Sequence, residues 1–116
     1  MPAQAADAER RYDVRTFERL ESCGDLNRAV AMAKREDDWG ALYGFSLYTM
    51  GYLTAINRLA YNTYDIGGKK NSKTLMLWLQ QYCAEHPQSS FSDALYQMTL
   101  AQFPDRSTTK PVRAAD

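Results

Sequence analysis

Histidine is almost missing from this 116-residue chain: His86 stands alone and is followed directly by proline. One imidazole with two distant cysteines, Cys23 and Cys83, fits no familiar zinc spacing, so no metal site and no cofactor is expected. Gly67-Gly68 before Lys69-Lys70 lacks the spacing of a phosphate-binding loop. β-Branched residues are scarce and period-two alternation is absent, which argues against strands. No apolar run reaches the roughly 18 residues of a membrane span, because Ser46, Thr49, Thr54 and Asn57 punctuate the longest candidate. Net charge is missing too. Lysine plus arginine and aspartate plus glutamate stand at 14 each, so no overall field draws the chain toward nucleic acid or an anionic membrane. The length suits one domain.

What is present is a long stretch with almost no charge. From Trp39 to Tyr64 only Arg58 is ionised. At helical spacing Gly40, Gly44, Leu47, Gly51 and Ala55 share one stripe, nearly bare of side chains, where another helix could approach closely. Trp39, Leu42, Tyr43, Met50, Leu53 and Ile56 supply bulk elsewhere, and Phe45, Tyr48 and Tyr52 widen the apolar surface. That pattern predicts a central helix buried on several sides. The remaining charge is concentrated upstream: residues 1–38 hold 16 of the 28 charged side chains.

Phe17 and Leu20, spaced i, i+3, predict a short helix over 16–22 that ends at Cys23. A second stripe, Leu26, Ala29, Val30 and Ala33, predicts the next helix, and Asp37 or Asp38 is the expected N-cap of the central one. Turn formers from Asn62 to Asn71 predict a flexible loop. Ser72 is the expected cap of a third helix containing Leu75, Trp78, Leu79, Tyr82 and Cys83, which Pro87 forces to end. Ser90-x-x-Asp93 resembles a capping box opening a last helix, closed by Pro104. The expected fold is all-α, a small bundle of four to five helices around a central helix. It occupies residues 13–104, between a disordered start (1–12) and a disordered tail (105–116).

Eight tyrosines are many for this length. Tyrosine suits both cores with a polar exit and protein interfaces, so Tyr43, Phe45, Tyr48, Tyr52, Tyr61 and Tyr64 are candidates for a protein-binding surface. Cys83 and His86 share a helical face, but no third group orients a thiol–imidazole pair, and no enzymatic activity is expected. An even pair of cysteines is compatible with one disulfide, with two reduced thiols as the alternative. Ala3-Gln4-Ala5 has the small-x-small form of a signal-peptidase site, read as the remnant of an export signal. An alanine-rich cytosolic start is the alternative.

Residues 78–91, WLQQYCAEHPQSSF, with an upstream cysteine and a closing amphipathic helix, resemble the HdeA and HdeB proteins, small helical chaperones of the bacterial periplasm. The central GYLTAIN is similar to their glycine-containing middle helix, and the resemblance covers roughly residues 20–104. It implies a Cys23–Cys83 disulfide stapling the bundle, a periplasmic location and acid-triggered exposure of apolar surface that captures unfolding clients. A homodimer is a further expectation, from the surplus apolar surface of the central stretch. A related group contains immunity proteins that neutralise toxins delivered by type VI secretion. In that group a cysteine follows a terminal Phe-Pro, where Asp105 stands here.

Overall fold

A computed structural model describes residues 12–110 and contains four α-helices and one short 3-10 turn. They are α1 (Cys23–Glu36), α2 (Gly40–Leu59), α3 (Ser72–Glu85) and α4 (Phe91–Gln102), followed by a 3-10 turn at Phe103–Asp105. Among the described residues there is no strand, only the isolated bridges Ser22 to Ser90 and Asp65 to Ser107. Residues 1–11 of the expected start (1–12) and the tail beyond residue 110 lie outside the described residues.

The short helix expected over 16–22 does not form. That segment is a turn in which Thr16 donates to the Leu20 carbonyl and Arg19 takes a left-handed backbone, φ 71°. One apolar turn cannot offset the cost of helix nucleation, and Phe17 has nothing to bury against, being 81% exposed. Cys23 therefore opens a helix instead of ending one. Ser22 is its N-cap: its side chain accepts from the Asp25 amide at 3.0 Å, and Asp25 Oδ2 accepts from the Ser22 amide at 3.2 Å. This reciprocal pair satisfies two of the donors that a helix start leaves open.

α1 carries many charges yet occupies the middle of the bundle. Its stripe Cys23, Leu26, Ala29 and Ala33 is buried, and it packs against all three other helices. α2, expected at the centre, buries only Phe45, Thr49 and Leu53, three residues at steps of four. Thr49 satisfies itself by donating to the Phe45 carbonyl at 2.8 Å. Of the glycine stripe, Gly44 lies against the Leu20 side chain, whereas Gly51 faces outward and a Cβ added there would meet nothing within 4 Å. Lack of charge let the helix be apolar all round without giving it partners all round.

Three helix ends converge at the disulfide. Cys23 and Cys83 are joined and fully buried, with Cα atoms 4.6 Å apart, so the start of α1 is tied to the last turn of α3. Backbone bonds brace the same point: the Cys23 amide donates to the Ser89 carbonyl and the Phe91 amide to the Glu21 carbonyl, both at 2.9 Å. Asn27 Nδ2 donates to the Cys83 carbonyl at 3.0 Å, satisfying an acceptor that the end of α3 exposes. Beyond it the Phe45 and Phe91 rings meet edge to face at 4.7 Å, in the arrangement aromatic quadrupoles favour.

The opposite end is held by hydrogen bonds as well. Residues after Phe103 fold back on the α2–α3 loop: the Tyr64 amide donates to the Ser107 carbonyl at 2.8 Å and the Ser107 amide to the Asp65 carbonyl at 2.9 Å. Gln102 Nε2 donates to the Gly67 carbonyl at 3.1 Å, and Ile66 is buried beneath. Gly68 has φ +61°, and a Cβ there would run into the Asp105 carbonyl. Only glycine allows both the turn and the close approach. Pro104 sits at the start of the 3-10 turn and tightens the chain without stopping it.

Candidate functional site

The six aromatic residues named as a candidate surface divide into four places. Phe45 belongs to the core, at 0% exposure, because its position on α2 points between α1 and α4. Tyr43 lies on the outer side of α2, 65% exposed. Tyr48 and Tyr52 occupy the flank toward α4, half-buried, with the Tyr48 ring edge-on to Phe91 at 5.3 Å. Tyr61 and Tyr64 are exposed in the turn after α2.

On its outer side α2 presents Trp39, Tyr43 and Leu47 at successive steps of four, all exposed, followed by exposed Gly51 and Ala55. From Gly40 to Asn57 the helix has no charged residue. It starts without a side-chain cap; Asp38 Oδ1 accepts from the Gly40 amide at 3.2 Å, so the expected aspartate contributes from the turn before the cap. Trp39 Nε1 donates to Asp37 at 2.7 Å, which holds the indole against the α1–α2 turn. A face of this kind can present a large apolar contact to another protein.

The α2–α4 flank holds a second feature that sequence reasoning missed. Tyr12, Tyr52, Ser92 and Tyr96 line a cleft of about 270 Å³. Tyr12 Oη donates to Asp93 Oδ1 at 3.3 Å, and the Tyr52 and Thr99 hydroxyls are hydrogen-bonded at 3.3 Å. Burial raises the phenol pKa of Tyr48, reinforced by Tyr52 and Tyr12. Burial likewise raises that of Tyr52; the Thr99 hydrogen bond opposes it, and Tyr12 and Tyr96 add to it. Both phenols are therefore neutral at physiological pH. No local signal marks this cluster, since its members come from three segments far apart in the chain.

The alternative chemistry at Cys83 and His86 lacks a free thiol, because Cys83 is in the disulfide. His86 instead stacks on Tyr82, centroids 4.1 Å apart, and Tyr82 stacks on Trp78 at 5.4 Å. Among the described residues no group of three His, Cys, Asp or Glu side chains is placed to hold a metal ion, and no helix is long and apolar enough to cross a membrane. No protein-family model, curated protein or solved structure matches the chain.

Proposed function

We propose that this is a non-enzymatic, exported protein-binding domain that uses the outer side of α2 to hold apolar segments of other proteins, as an HdeA-like periplasmic chaperone. The observation that carries the reading is the row Trp39, Tyr43 and Leu47, exposed on a helix without a single charge from Gly40 to Asn57. The buried disulfide supports export, since such bonds persist in oxidising compartments. A symmetric pair of chains meeting through α2 would cover the surface when no client is bound, and such self-complementary faces are the commonest route to dimers.

A second reading, an immunity or inhibitor protein blocking one secreted toxin, is favoured by a specific feature. The buried polar residues are Thr49 and Gln102, so the described core contains no carboxylate or imidazole whose protonation would open it. At low pH the 14 carboxylates neutralise and leave 14 fixed positive charges plus His86. Acid opening then rests on global repulsion alone. A face already displayed at neutral pH suits a standing partner as well as an unfolding one.

Aggregation of two unrelated client proteins, followed at pH 7 and at pH 2 to 3, separates the two. A chaperone suppresses both clients, with stronger suppression in acid. Protection of neither client at either pH would overturn the chaperone reading and leave the dedicated-inhibitor reading in its place. Sedimentation at micromolar concentration tests the pair of chains, and a monomer at every concentration would remove it.

A further inference from the structure

A cleft of about 350 Å³ lies where the turn before α1 meets α1 and the start of α2, lined by Arg19, Asp25, Arg28, Ala29, Met32 and Ala41. Its apolar wall, Ala29, Met32 and Ala41, offers no side-chain acceptor. The one carboxylate in the lining is already occupied: Asp25 Oδ2 accepts from the Glu21 and Ser22 amides, each at 3.2 Å, and Oδ1 accepts from Arg28 at 3.2 Å. The Asp25 side chain is only 13% exposed, so it fixes Arg28 from within and leaves that guanidinium, 64% exposed, with donors to spare. Arg19 is unoccupied. Glu18 and Glu21 stand near it in the chain, yet among the described residues its guanidinium has no ion pair. The turn that carries it is tightly built: the Leu20 amide donates to the Phe17 carbonyl and the Thr16 hydroxyl to the Leu20 carbonyl, both at 3.1 Å, and the Leu20 side chain lies against Gly44 of α2. Arg19 takes a left-handed backbone there, φ 71°, which glycine adopts at lower cost. The turn gains nothing from a side chain at this position, whereas the cleft gains a cation.

We propose that this cleft receives one glutamate side chain of a polypeptide partner. Two cations against one occupied carboxylate leave the lining with a single positive charge in excess, which one carboxylate balances. A guanidinium presents a planar fork of donors that a carboxylate accepts in pairs. The apolar wall suits the methylenes of glutamate, and glutamine, of the same shape, brings no charge to the arginines. The first turn of α2 carries Ala41 in the cleft and Tyr43 on its outer side, so the site adds charge selectivity at one end of the apolar row. That the partner is a protein rests on the protein-binding reading above, whereas the affinity of the cleft for a carboxylate does not.

The probe is the pentapeptide acetyl-Gly-Gly-Glu-Gly-Gly-amide, with the glutamine version as control, titrated into the full chain at low ionic strength, where exposed charges are least screened. Binding is followed by NMR at the guanidinium Nε–H signals of Arg19 and Arg28 and at the methyl groups of Ala29 and Ala41. The glutamate peptide is expected to shift these signals saturably and to bind about fivefold more tightly than the glutamine peptide. Arg19→Gly, which suits the left-handed turn, should reduce that preference to less than about twofold in a protein that melts near the wild-type temperature. Arg28→Gln, at an exposed position, should weaken glutamate binding about two- to fivefold. Equal binding of the two peptides would overturn the proposal, as would the absence of any saturable shift or an undiminished preference in Arg19→Gly. Tighter binding of inorganic phosphate than of the glutamate peptide would reassign the cleft to phosphate and overturn it too. If glutamate binds but no client is protected, the cleft stands and the chaperone reading falls. Client protection without glutamate binding gives the reverse.

Discussion

α1 and α2 have exchanged the roles that their compositions suggest. α1 carries charge along most of its length and is the hub of the bundle; α2 is the least charged helix and leaves more than one side in solvent. The difference lies in width. α1 buries a narrow stripe that includes the small residues Ala29 and Ala33, which let three neighbours approach closely. The apolar circumference of α2 is wider than its neighbours can cover, and what they leave is the exposed row of Trp39, Tyr43 and Leu47. Burial follows where partners are, not where charge is missing.

The strongest way to break the comparison is at the knot that centres α1. Replacing Cys23 and Cys83 with serine reopens a loop of 60 residues, which the chain-entropy view values at about 4 kcal/mol. Thermal unfolding should shift down by on the order of 20 °C. Reductant should lower the wild type similarly and leave the double variant unmoved.

A matched pair of leucines sharpens the contrast directly. Leu26→Ala on α1 removes a fully buried side chain and should cost about 3 kcal/mol in denaturant unfolding. Leu47→Ala on α2, 56% exposed, should cost less than about 0.5 kcal/mol. Equal costs would mean that α2 is packed on both sides. The next effect has the opposite sign. Gly51→Ala adds a Cβ into open space in a helix interior, so stability should rise by roughly 0.5 to 1 kcal/mol.

The smallest effect belongs to the tyrosine flank. The folded-state pKa values of Tyr48 and Tyr52 lie above the ordinary phenol value of 10.0. Folding therefore favours the neutral phenol. The associated stability is complete below pH 10 and is lost as pH rises through the raised folded values. A melting series from pH 8 to 12 should show that loss, diminished in Tyr48→Phe and Tyr52→Phe.

Much of the architecture was legible locally. Pro87 and Ser90 mark the α3–α4 boundary because the ring of one forbids a helix and the hydroxyl of the other caps one. The same capping pattern occurs at Ser22-x-x-Asp25, where the apolar pair Phe17 and Leu20 drew attention to the preceding segment instead. Placement of the tail on the α2–α3 loop was not legible, since it depends on Gln102, Gly68 and Ser107 meeting across the fold. Of the candidate surface, Tyr43, Tyr61 and Tyr64 are exposed, while Phe45 faces inward because the helix is buried along one line only. Tyr12, Tyr52 and Tyr96 come together only where the segment before α1 meets α2 and α4.

The central claim is that the outer side of α2 is a binding face and not part of the core. The direct measurement is client-aggregation suppression at pH 7 by the wild type beside a Tyr43→Lys, Leu47→Glu variant, which keeps the net charge at zero. The expected result is a variant that melts where the wild type does and no longer protects the client. Undiminished protection by the variant, or its failure to fold, would contradict the claim.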